Sequence, residues 1–393
     1  MASRRNLGQR MTVDPTLPGP TLGVIGGGQL GRMLAEAASP LGVDVIVVDP
    51  TPDCPAARVA TDQIVAPFDE VDAVEELAER SDVLTLEIEL ADPMTLESAS
   101  VPVEPAPWTL SVIQDKLEQM QLFERSAVPV PSFTAVDTAD DLREALDTLG
   151  SPVMLKARTG GYDGRGNIPV RDGDDIEEAV AAMGGHAMAE AFVEFDRELA
   201  VIAARGVDEI SVHSVTETIH EEEILRETVV PARTDRETLT RAQQVAQQAL
   251  DALEGRGVYG IELFEASDGE ILLNEVAPRP HNSGHWTIEG SVTSQFEQHV
   301  RAVLGWPLGS TQRIHDAVVT TNLLGDGLPS RQAVLEGVER VLETERAHLH
   351  WYGKHEVRPL RKMGHVTMTS NVDTRADLLE TARDLRTQVR FGD

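Results

Sequence analysis

Short apolar runs and amphipathic stretches alternate along the first third of the chain. The apolar residues at 22–26, 43–48 and 82–86 have the length and composition of buried strands. Between them, residues 29–39 and 70–80 carry apolar positions at helical spacing. Strands and helices that alternate in this order form β-α-β units, so the pattern predicts a parallel sheet covered by helices.

The pattern changes after the proline-rich residues 101–107. A predicted helix at 115–125 leads into a stretch, ending near residue 309, in which strands outnumber helices. Short strands at 317–324 and 364–369 and a helix at 374–390 complete the chain. We predict an α/β first domain at 21–112, an α+β second domain at 113–309 and a small β-rich third domain at 310–393, after a loose tail at 1–20.

Composition narrows the class of protein. The chain has 393 residues and 41% hydrophobic content, enough for two or three cores, and its 66 acidic and 34 basic residues give a formal net charge of −32. Self-repulsion at this charge destabilises a fold unless salt screens it, so we predict adaptation to a salty cytoplasm. A generally acidic protein is the alternative.

The sequence also argues against several kinds of partner, a membrane location and cysteine-based stabilisation. An acidic surface argues against nucleic acid as a partner, because phosphate backbones are bound by basic faces. No apolar run is long enough for a membrane helix, and no signal peptide is recognisable, so we expect a cytoplasmic protein. The single cysteine, Cys54, can form neither an internal disulfide nor a zinc cluster.

The first candidate site is a glycine turn after the first predicted strand. Residues 26–31 satisfy the pattern G-x-G-x-x-G, and Asp49 ends the next strand about 20 residues further on. On its own the pattern indicates a nicotinamide dinucleotide at the N-terminus of the helix. Any tight turn between a strand and a helix also favours glycine, and another anion, such as a ribotide phosphate, could bind the same amides.

A second glycine-rich segment follows Lys156. Gly160, Gly161, Gly164 and Gly166 place four glycines within seven residues, more backbone freedom than a plain hairpin needs. A mobile loop whose amides wrap phosphates, with Lys156 as a point charge, accounts for both features. A merely flexible turn is the alternative. The segment is not a Walker loop, since no Gly-Lys-Ser/Thr follows.

A predicted hairpin places two acidic residues opposite each other. Apolar runs at 258–265 and 270–276 flank the Asp-Gly dipeptide at 268–269, which is typical of hairpin turns. A symmetric hairpin centred there pairs Glu262 with Glu275. Like charges in this arrangement destabilise a sheet unless a cation lies between them, and Mg²⁺ is bound by carboxylates together with substrate phosphates. Two solvated carboxylates on an exposed face are the alternative.

Cations gather in two later segments of a chain that otherwise has few. Residues 277–286 and 351–365 contain arginine, lysine and histidine close together. Anionic substrates that approach a protein of this net charge need such a local positive pocket. Helix capping or ion pairing is the alternative role for individual members.

Together these segments resemble the 5-(carboxyamino)imidazole ribonucleotide synthase family, ATP-grasp enzymes of purine synthesis. The resemblance extends from Thr21 to about Thr369 and rests on GGGQLGRM from Gly26, GGYDGRG from Gly160, NEVAPRPHNSGHWTIEG from Asn274, SQFEQH from Ser294 and HLHWYGK from His348. It implies a pre-ATP-grasp domain, an ATP-grasp fold, a small C-terminal domain and a homodimer.

The resemblance also implies roles for individual residues, and the chain's four lysines all fall on expected ATP or substrate positions. The implied ATP ligands are Lys116, Lys156, Gly161, Tyr162, Asp163, Gly164, Arg165, Gly166, the adenine-binding hinge Glu190, Ala191, Phe192 and Val193, the ribose ligand Glu198, and His220, Asn274 and Glu275. Glu262 and Glu275 would bind Mg²⁺, for which Mn²⁺ could substitute.

The implied reaction carboxylates the exocyclic amine of 5-aminoimidazole ribonucleotide. Bicarbonate attacks the terminal phosphate of ATP to give carboxyphosphate and ADP, and the amine then takes the carboxyl group. Arg165 and Arg279 are expected to hold carboxyphosphate, and His281 to transfer a proton. The expected ribotide ligands are Gln29, Leu30, Tyr162, Asp163, Arg279, Lys354, Arg361 and Lys362.

The chain departs from the family pattern at two places. The usual Arg-Pro-Gly-Arg-Lys has leucine at Leu360, in a turn that favours glycine. The usual Thr-Tyr-Glu-Phe-Glu-Asn reads Thr-Leu-Glu-Ile-Glu-Leu at 85–90, which leaves open a role for Glu87 or Glu89 near the substrate. The competing hypotheses are a formate-dependent glycinamide ribonucleotide transformylase, a nicotinamide-dependent oxidoreductase and a catalytically silent ATP-binding subunit.

Overall fold

The computed structural model describes residues 12–160, 166–327 and 329–392. The predicted glycine-loop ligands Gly161, Tyr162, Asp163, Gly164 and Arg165 lie outside the described residues, as does most of the predicted tail. None of the helices in the described ranges has the length and apolar character needed to span a bilayer.

The first domain is built on a parallel sheet with strand order β3-β2-β1-β4, which confirms the predicted β-α-β unit. Each element predicted in this region lies within one residue of its observed bounds. The apolar faces of α1 and α2 pack on opposite faces of the sheet. The elements are β1 (Thr21–Ile25), α1 (Gln29–Ala38), β2 (Asp44–Val48), β3 (Asp62–Ile64), α2 (Val71–Glu79), β4 (Val83–Leu86), α3 (Pro93–Glu97) and α4 (Pro107–Gln114).

A small antiparallel sheet follows, with strand order β5-β8-β6-β7. Two helices, α6 and α7, cover one face and bury a separate apolar core. The helix α6 begins with a capping box, in which Thr138 and Asp141 satisfy each other's backbone amides. The elements are α5 (Lys116–Arg125), β5 (Phe133–Val136), α6 (Ala139–Leu149), β6 (Val153–Ala157), β7 (Asn167–Val170), α7 (Ile176–Ala182) and β8 (Ala187–Ala191).

Residues 192–194 connect this small sheet to a large one. The first part of the large sheet has the order β14-β13-β9-β11-β12, and β10 pairs with β9. Helices α5 and α8 pack against β9, β13 and β14. The elements are β9 (Phe195–Arg205), β10 (Ile210–Val212), β11 (Thr216–Glu221), β12 (Ile224–Val230), α8 (Arg236–Ala252), β13 (Gly257–Ala266), β14 (Ile271–Ala277), α9 (Thr287–Gly290) and α10 (Gln295–Val303).

Three C-terminal strands continue the large sheet, because β15 pairs with β12 and leads on to β20 and β18, whereas β16 pairs with β19 and β17 with β21 in two small sheets. The helix α12 covers this end of the sheet. The elements are β15 (Ala317–Leu324), β16 (Arg331–Gln332), β17 (Leu335–Glu336), α11 (Val338–Glu343), β18 (Ala347–Trp351), β19 (Glu356–Val357), β20 (Lys362–Ser370), α12 (Arg375–Gln388) and β21 (Arg390–Phe391).

One apolar cluster joins the first domain to the second. Leu30 and Met33 of α1 pack in the same buried cluster as Phe296 and Val300 of α10, and Tyr352 also belongs to it. Burial of such side chains contributes roughly 1.5–3 kcal/mol each. The first domain is therefore held against the helix that follows the histidine-rich segment at 281–285.

Candidate active site

The candidate site lies where the small sheet faces the large one. Lys156 of β6 in the small sheet places its Nζ 2.7 Å from Glu190 Oε1 and donates to Asn274 Oδ1 of β14 in the large sheet at 3.2 Å. Lys156 and Glu190 are almost fully buried. An ammonium group buried against one carboxylate and one amide joins the two sheets, and it does so at the predicted nucleotide position.

The predicted glycine loop starts beside this lysine. Lys156 of β6 pairs with Asn167 of β7, and the Ala157 amide donates to the carbonyl oxygen of Gly166 at 2.7 Å. Gly166, a predicted ATP ligand, and Gly160 both have positive φ. Gly166, which follows residues 161–165, therefore lies next to the strand that carries Lys156.

Glu262 of β13 pairs directly with Glu275 of β14, which confirms the predicted pairing. The symmetric two-residue turn on which that prediction rested is wrong. The turn has three residues, 267–269, and the Ala266 amide donates to the carbonyl oxygen of Glu270 at 2.9 Å. A register shift next to Glu262 then restores the predicted pairing.

The two opposed carboxylates have different environments. Lys116 Nζ lies 2.9 Å from Glu275 Oε2, and its charge holds the pKa of Glu275 below its usual range. Burial raises the pKa of Glu262, the charge of Glu275 raises it further, and His220 and Lys362 oppose the rise. Glu275 thus has a close cationic partner, whereas the positive groups near Glu262 are more distant, and 44% of the Glu275 side chain is exposed.

No group of three or more His, Cys, Asp or Glu side chains within the described ranges is arranged to hold a metal ion by itself. Glu262 and Glu275 supply only two protein ligand side chains. Mg²⁺ is usually bound by one or two carboxylates together with phosphate oxygens and water. The pair therefore fits a Mg²⁺ ion that arrives with a nucleotide.

A second acid-base pair stands on neighbouring strands of the large sheet. His220 Nδ1 of β11 lies 2.8 Å from Glu198 Oε2 of β9, and a register shift between Ile219 and His220 marks a bulge at this point. Burial disfavours protonation of His220, but the hydrogen bond and the charge of Glu198 outweigh it and raise the pKa. Glu262 contributes to the same rise, so this pair belongs to the same electrostatic cluster.

Two of the three predicted catalytic residues, Arg279 and His281, follow the C-terminal end of β14, and the third, Arg165, lies outside the described residues. Arg279 Nε lies 2.7 Å from Glu89 Oε1, which comes from the first domain. His281 Nδ1 lies 2.8 Å from Ser283 Oγ, and its Nε2 is 3.6 Å from Glu262 Oε1. Arg279 and His281 therefore reach the cleft from the same segment, and Glu89 is a site residue for which the sequence left the role open.

In the glycine turn of the first domain, three amides that the dinucleotide and ribotide-phosphate hypotheses would assign to a phosphate are bound by carboxylates of the protein. The Gly27 amide donates to Asp49 Oδ2 at 2.9 Å. The Gly28 and Gly31 amides donate to the two oxygens of Glu87 at 2.5 and 2.9 Å. A side chain at position 28 would collide with the Glu87 carboxylate. The glycines thus serve a buried carboxylate of the protein instead of a bound anion.

Two predicted ribotide ligands start the helix after this turn. Gln29 is the first residue of α1 and is partly exposed. Leu30 is buried in the apolar cluster that joins the first domain to α10. Its side chain is used for packing, so only the Leu30 backbone is left for a substrate.

The predicted hinge lies at the junction of the two sheets. Glu190 and Ala191 end β8, and Phe192 and Val193 begin the connection to β9. The Ala191 amide donates to the carbonyl oxygen of Ser132 at 2.8 Å. Glu190 Oε2 is buried and has no hydrogen-bond partner within the described ranges, so it is an acceptor available to a ligand.

The C-terminal cations surround a turn next to β20. Lys354 Nζ donates to the carbonyl oxygen of Lys362 at 2.6 Å, and Arg361 donates to the carbonyl oxygen of Glu356 at 2.8 Å. Lys362 is close enough to affect the pKa of Glu262. Leu360 has φ of 62°, so the turn has the left-handed conformation for which the family uses glycine.

A buried amide supports the strand that carries Glu275 and was missed from the sequence. Gln119 Oε1 of α5 accepts from the Val276 amide at 3.1 Å, and its Nε2 donates to the carbonyl oxygen of Ile113 at 3.3 Å. Gln119 thus fixes the residue next to Glu275. A polar residue on the buried face of an amphipathic helix was the only available signal.

Comparison with known families covers most of the chain. The sequence profile of the ribonucleotide synthetase preATP-grasp domain matches residues 20–114, and that of the ATP-grasp domain matches residues 121–296. The profile of the phosphoribosylaminoimidazole carboxylase C-terminal domain matches residues 318–378.

Individual relatives agree with these profiles. N5-carboxyaminoimidazole ribonucleotide synthase of Brucella melitensis is 43% identical over 356 residues, which cover 89% of this chain and 96% of that protein. The structure of N5-carboxyaminoimidazole ribonucleotide synthetase from Thermotoga maritima has a TM-score of 0.86 at 40% identity and covers 95% of this chain and 99% of its own.

A third relative was solved with ligands. The synthase from Aspergillus clavatus, in complex with ADP and 5-aminoimidazole ribonucleotide, has a TM-score of 0.86 at 34% identity and covers 94% of this chain and 99% of its own. Because relatives at this level of identity span nearly the full length of both chains, the chain belongs to the N5-carboxyaminoimidazole ribonucleotide synthase family of ADP-forming ATP-grasp ligases.

Proposed function

We propose that this enzyme uses ATP and bicarbonate to carboxylate the exocyclic amine of 5-aminoimidazole ribonucleotide in purine synthesis. The observation that carries the proposal is one cleft in which Lys116 and Lys156 lie with the opposed Glu262 and Glu275, and into which His281 projects. The lysines at one end of this cleft suit the phosphates of a nucleoside triphosphate, and the remaining groups suit a second anion beside it. The Aspergillus clavatus relative, solved with ADP and the ribotide, supports both substrates.

ATP would occupy the junction of the two sheets. Lys116 and Lys156 would contact its phosphates, and Lys116 would do so while it stays beside Glu275. Glu190 and residues 191–193 would receive the adenine, and the orphan Oε2 of Glu190 offers an acceptor to it. Glu198 and His220 would hold the ribose end, and Asn274 would stay beside Lys156.

Mg²⁺, or Mn²⁺ in its place, would be held by Glu262 and Glu275 together with phosphate oxygens. The raised pKa of Glu262 supports this, because a carboxylate opposed by another carboxylate is stabilised by a cation between them. When bound, the ion would offset negative charge on the phosphates. Lys116 would remain beside Glu275 and fix its orientation.

The reaction begins with attack of a bicarbonate oxygen on the terminal phosphorus of ATP, which breaks the bond to ADP and forms carboxyphosphate. Lys156 would reduce the repulsion between the two anions. Arg279 and Arg165 would hold carboxyphosphate, which the loop 161–166 would shield from water. The ribotide amine then attacks the carboxyl carbon, phosphate leaves, and His281 would accept the amine proton.

The ribotide would bind between the first domain and the C-terminal turn. Lys354, Arg361 and Lys362 would contact its phosphate, and Gln29, Leu30 through its backbone, Tyr162, Asp163 and Arg279 would surround its ring and ribose. The influence of Lys362 on the pKa of Glu262 supports a location next to the metal pair. Glu89 would keep Arg279 extended towards this substrate.

Four further properties belong to the proposal. The enzyme works in the cytoplasm, as a homodimer, and is adapted to high salt, for which its formal net charge of −32 is the support. Its three functional units correspond to residues 21–112, 113–309 and 310–393.

The decisive experiment measures ADP release by the purified protein in high salt with ATP, Mg²⁺ and bicarbonate. We expect release to depend on 5-aminoimidazole ribonucleotide, with one carboxylated ribotide per ADP. Release that ignores this ribotide would refute the assignment. Release with formate and glycinamide ribonucleotide instead would favour the transformylase hypothesis.

A further inference from the structure

Gln295 makes a two-point contact with the backbone of a proposed catalytic residue. Its Oε1 accepts from the His281 amide at 2.9 Å, and its Nε2 donates to the carbonyl oxygen of His281 at 2.8 Å. Gln295 is fully buried. The side-chain amide thus satisfies both polar groups of one residue, as a neighbouring strand would.

Neighbouring residues hold Gln295 in this position. The Gln295 amide N–H donates to Thr287 Oγ1 at 2.9 Å, and Thr287 Oγ1 donates to the carbonyl oxygen of Gly284 at 2.6 Å. A side chain at position 284 would collide with Gln295 Oε1. Only glycine at 284 leaves room for the amide, so several residues are constrained by the same contact.

The contact fixes the direction in which His281 points. With its backbone held by Gln295, the His281 ring lies between Ser283 Oγ, 2.8 Å from Nδ1, and Glu262 Oε1, 3.6 Å from Nε2. Pro280 separates His281 from Arg279 and restricts the backbone between them. A change at the Gln295 contact would therefore move both residues relative to the metal pair.

We propose that Gln295 is a positioning residue that holds the segment 279–281 so that Arg279 and His281 face carboxyphosphate. The inference rests on the proposed function. Gln295 lies behind His281 and acts through its backbone. Loss of this contact would leave ATP binding intact, because Lys116, Lys156 and Glu190 are held by other contacts. Misplaced Arg279 and His281 would let carboxyphosphate escape to water, where it hydrolyses to bicarbonate and phosphate.

The same helix provides a matched control. Gln298 of α10 is also fully buried and also binds both backbone groups of one residue: its Oε1 accepts from the Gly309 amide at 2.8 Å, and its Nε2 donates to the carbonyl oxygen of Gly309 at 2.7 Å. Gly309 is not part of the proposed machinery. Gln295→Glu and Gln298→Glu each replace one donor by an acceptor in an otherwise isosteric side chain.

The experiment compares the two variants with the wild-type enzyme. Thermal unfolding measures the structural cost, which we expect to be similar for both. Steady-state kinetics and the ratio of ADP released to ribotide carboxylated measure positioning. For Gln295→Glu we expect kcat to fall roughly tenfold to a hundredfold with the KM for ATP nearly unchanged, and the ratio to rise above one. Gln298→Glu should keep a ratio of one.

Equal kinetic losses and equal ratios in the two variants would overturn the inference, because a merely structural role predicts that result. If the glutamate variants do not fold, Gln295→Asn and Gln298→Asn give the same comparison, since each keeps both polar groups but shortens their reach. A wild-type enzyme whose ADP release ignores the ribotide would instead refute the proposed function, so the two failures are distinguishable.

Discussion

Substitution of the two opposed carboxylates, which lie on neighbouring strands, should change the stability of the protein in opposite directions. Glu262→Gln removes a charge whose positive neighbours are more distant, whereas Glu275→Gln removes the partner of Lys116, 2.9 Å away. We therefore expect the first substitution to raise the free energy of unfolding of the ligand-free enzyme and the second to lower it. Both variants should lose turnover, because either change weakens the proposed metal site.

The expected size of the stability gain from Glu262→Gln follows from its pairing with Glu275. Residues directly opposite in a ladder have Cβ atoms about 5 Å apart. Two unit charges at this separation repel by about 3 kcal/mol at an effective dielectric constant of about 20. Lys116 offsets part of this repulsion, so about 1–2 kcal/mol is expected. In a chain of 393 residues, that corresponds to a rise in Tm of about 1–2 °C.

The pH dependence of these two stability changes provides a second test of the opposed carboxylates. The pKa of Glu262 is raised in the folded state, so its destabilising effect is absent below the ordinary pKa of 4.5 and grows as pH rises through the folded value. The gain from Glu262→Gln should be near zero at about pH 4 and full at about pH 8. The pKa of Glu275 is lowered, so its stabilisation is present at neutral pH and is lost as pH falls through that low value.

Thermal unfolding at fixed ionic strength, with and without Mg²⁺ and ATP, measures both effects. Glu270→Gln, an exposed change at the turn of the same hairpin, controls for the loss of one negative charge. Ligand should raise the Tm of the wild type and of Glu270→Gln more than that of either site variant. If Glu262→Gln destabilised the free enzyme as much as Glu275→Gln does, the two acids would not be opposed in the way described.

Three further predictions concern other parts of the molecule. Lys156→Met should lower the free energy of unfolding by about 3–5 kcal/mol, because it leaves the buried Glu190 carboxylate unpaired. Adding Glu190→Gln should restore most of the Tm but not ADP release. A Lys156→Met variant as stable as the wild type would contradict this. Leu360→Gly should raise the free energy of unfolding by up to about 1 kcal/mol, measured as a higher urea midpoint, because it relieves a left-handed backbone, whereas Leu360→Ala should not. The Tm should rise as KCl increases from about 0.1 M to about 2 M, since the Debye length falls from about 10 Å to a few ångströms; a Tm independent of KCl would refute salt adaptation.

The sequence predicted local structure well where one pattern decides it. Apolar runs predicted β1, β2 and β4 of the first domain but not β3, and the motif departure at Leu360 correctly indicated a turn that favours glycine. The pairing of Glu262 with Glu275 was right for a partly wrong reason. A three-residue turn shifts the register one way, a bulge next to Glu262 shifts it back, and sequence alone reveals neither shift.

Other features depend on contacts between distant segments. The continuation of the large sheet through β15 and β20 requires strand pairings about 90 and 45 residues apart, which no local pattern encodes. The two-point contacts of Gln295 and Gln298 are equally hidden, because a glutamine in an amphipathic helix has the same local pattern whether it is buried or exposed.

The glycine turn changes how the first domain contributes to the active site. Its pattern indicated a phosphate at the N-terminus of α1, but the amides of Gly27, Gly28 and Gly31 are already bound by Asp49 and Glu87. One residue by which the first domain contacts the second is Glu89, which follows β4 and pairs with Arg279. Carboxyl ends of parallel strands are the usual edge for ligand contacts. The first domain therefore adds a carboxylate that contacts Arg279 to the proposed ribotide ligands Gln29 and Leu30, and the amides of its glycine turn bind the neighbouring Glu87.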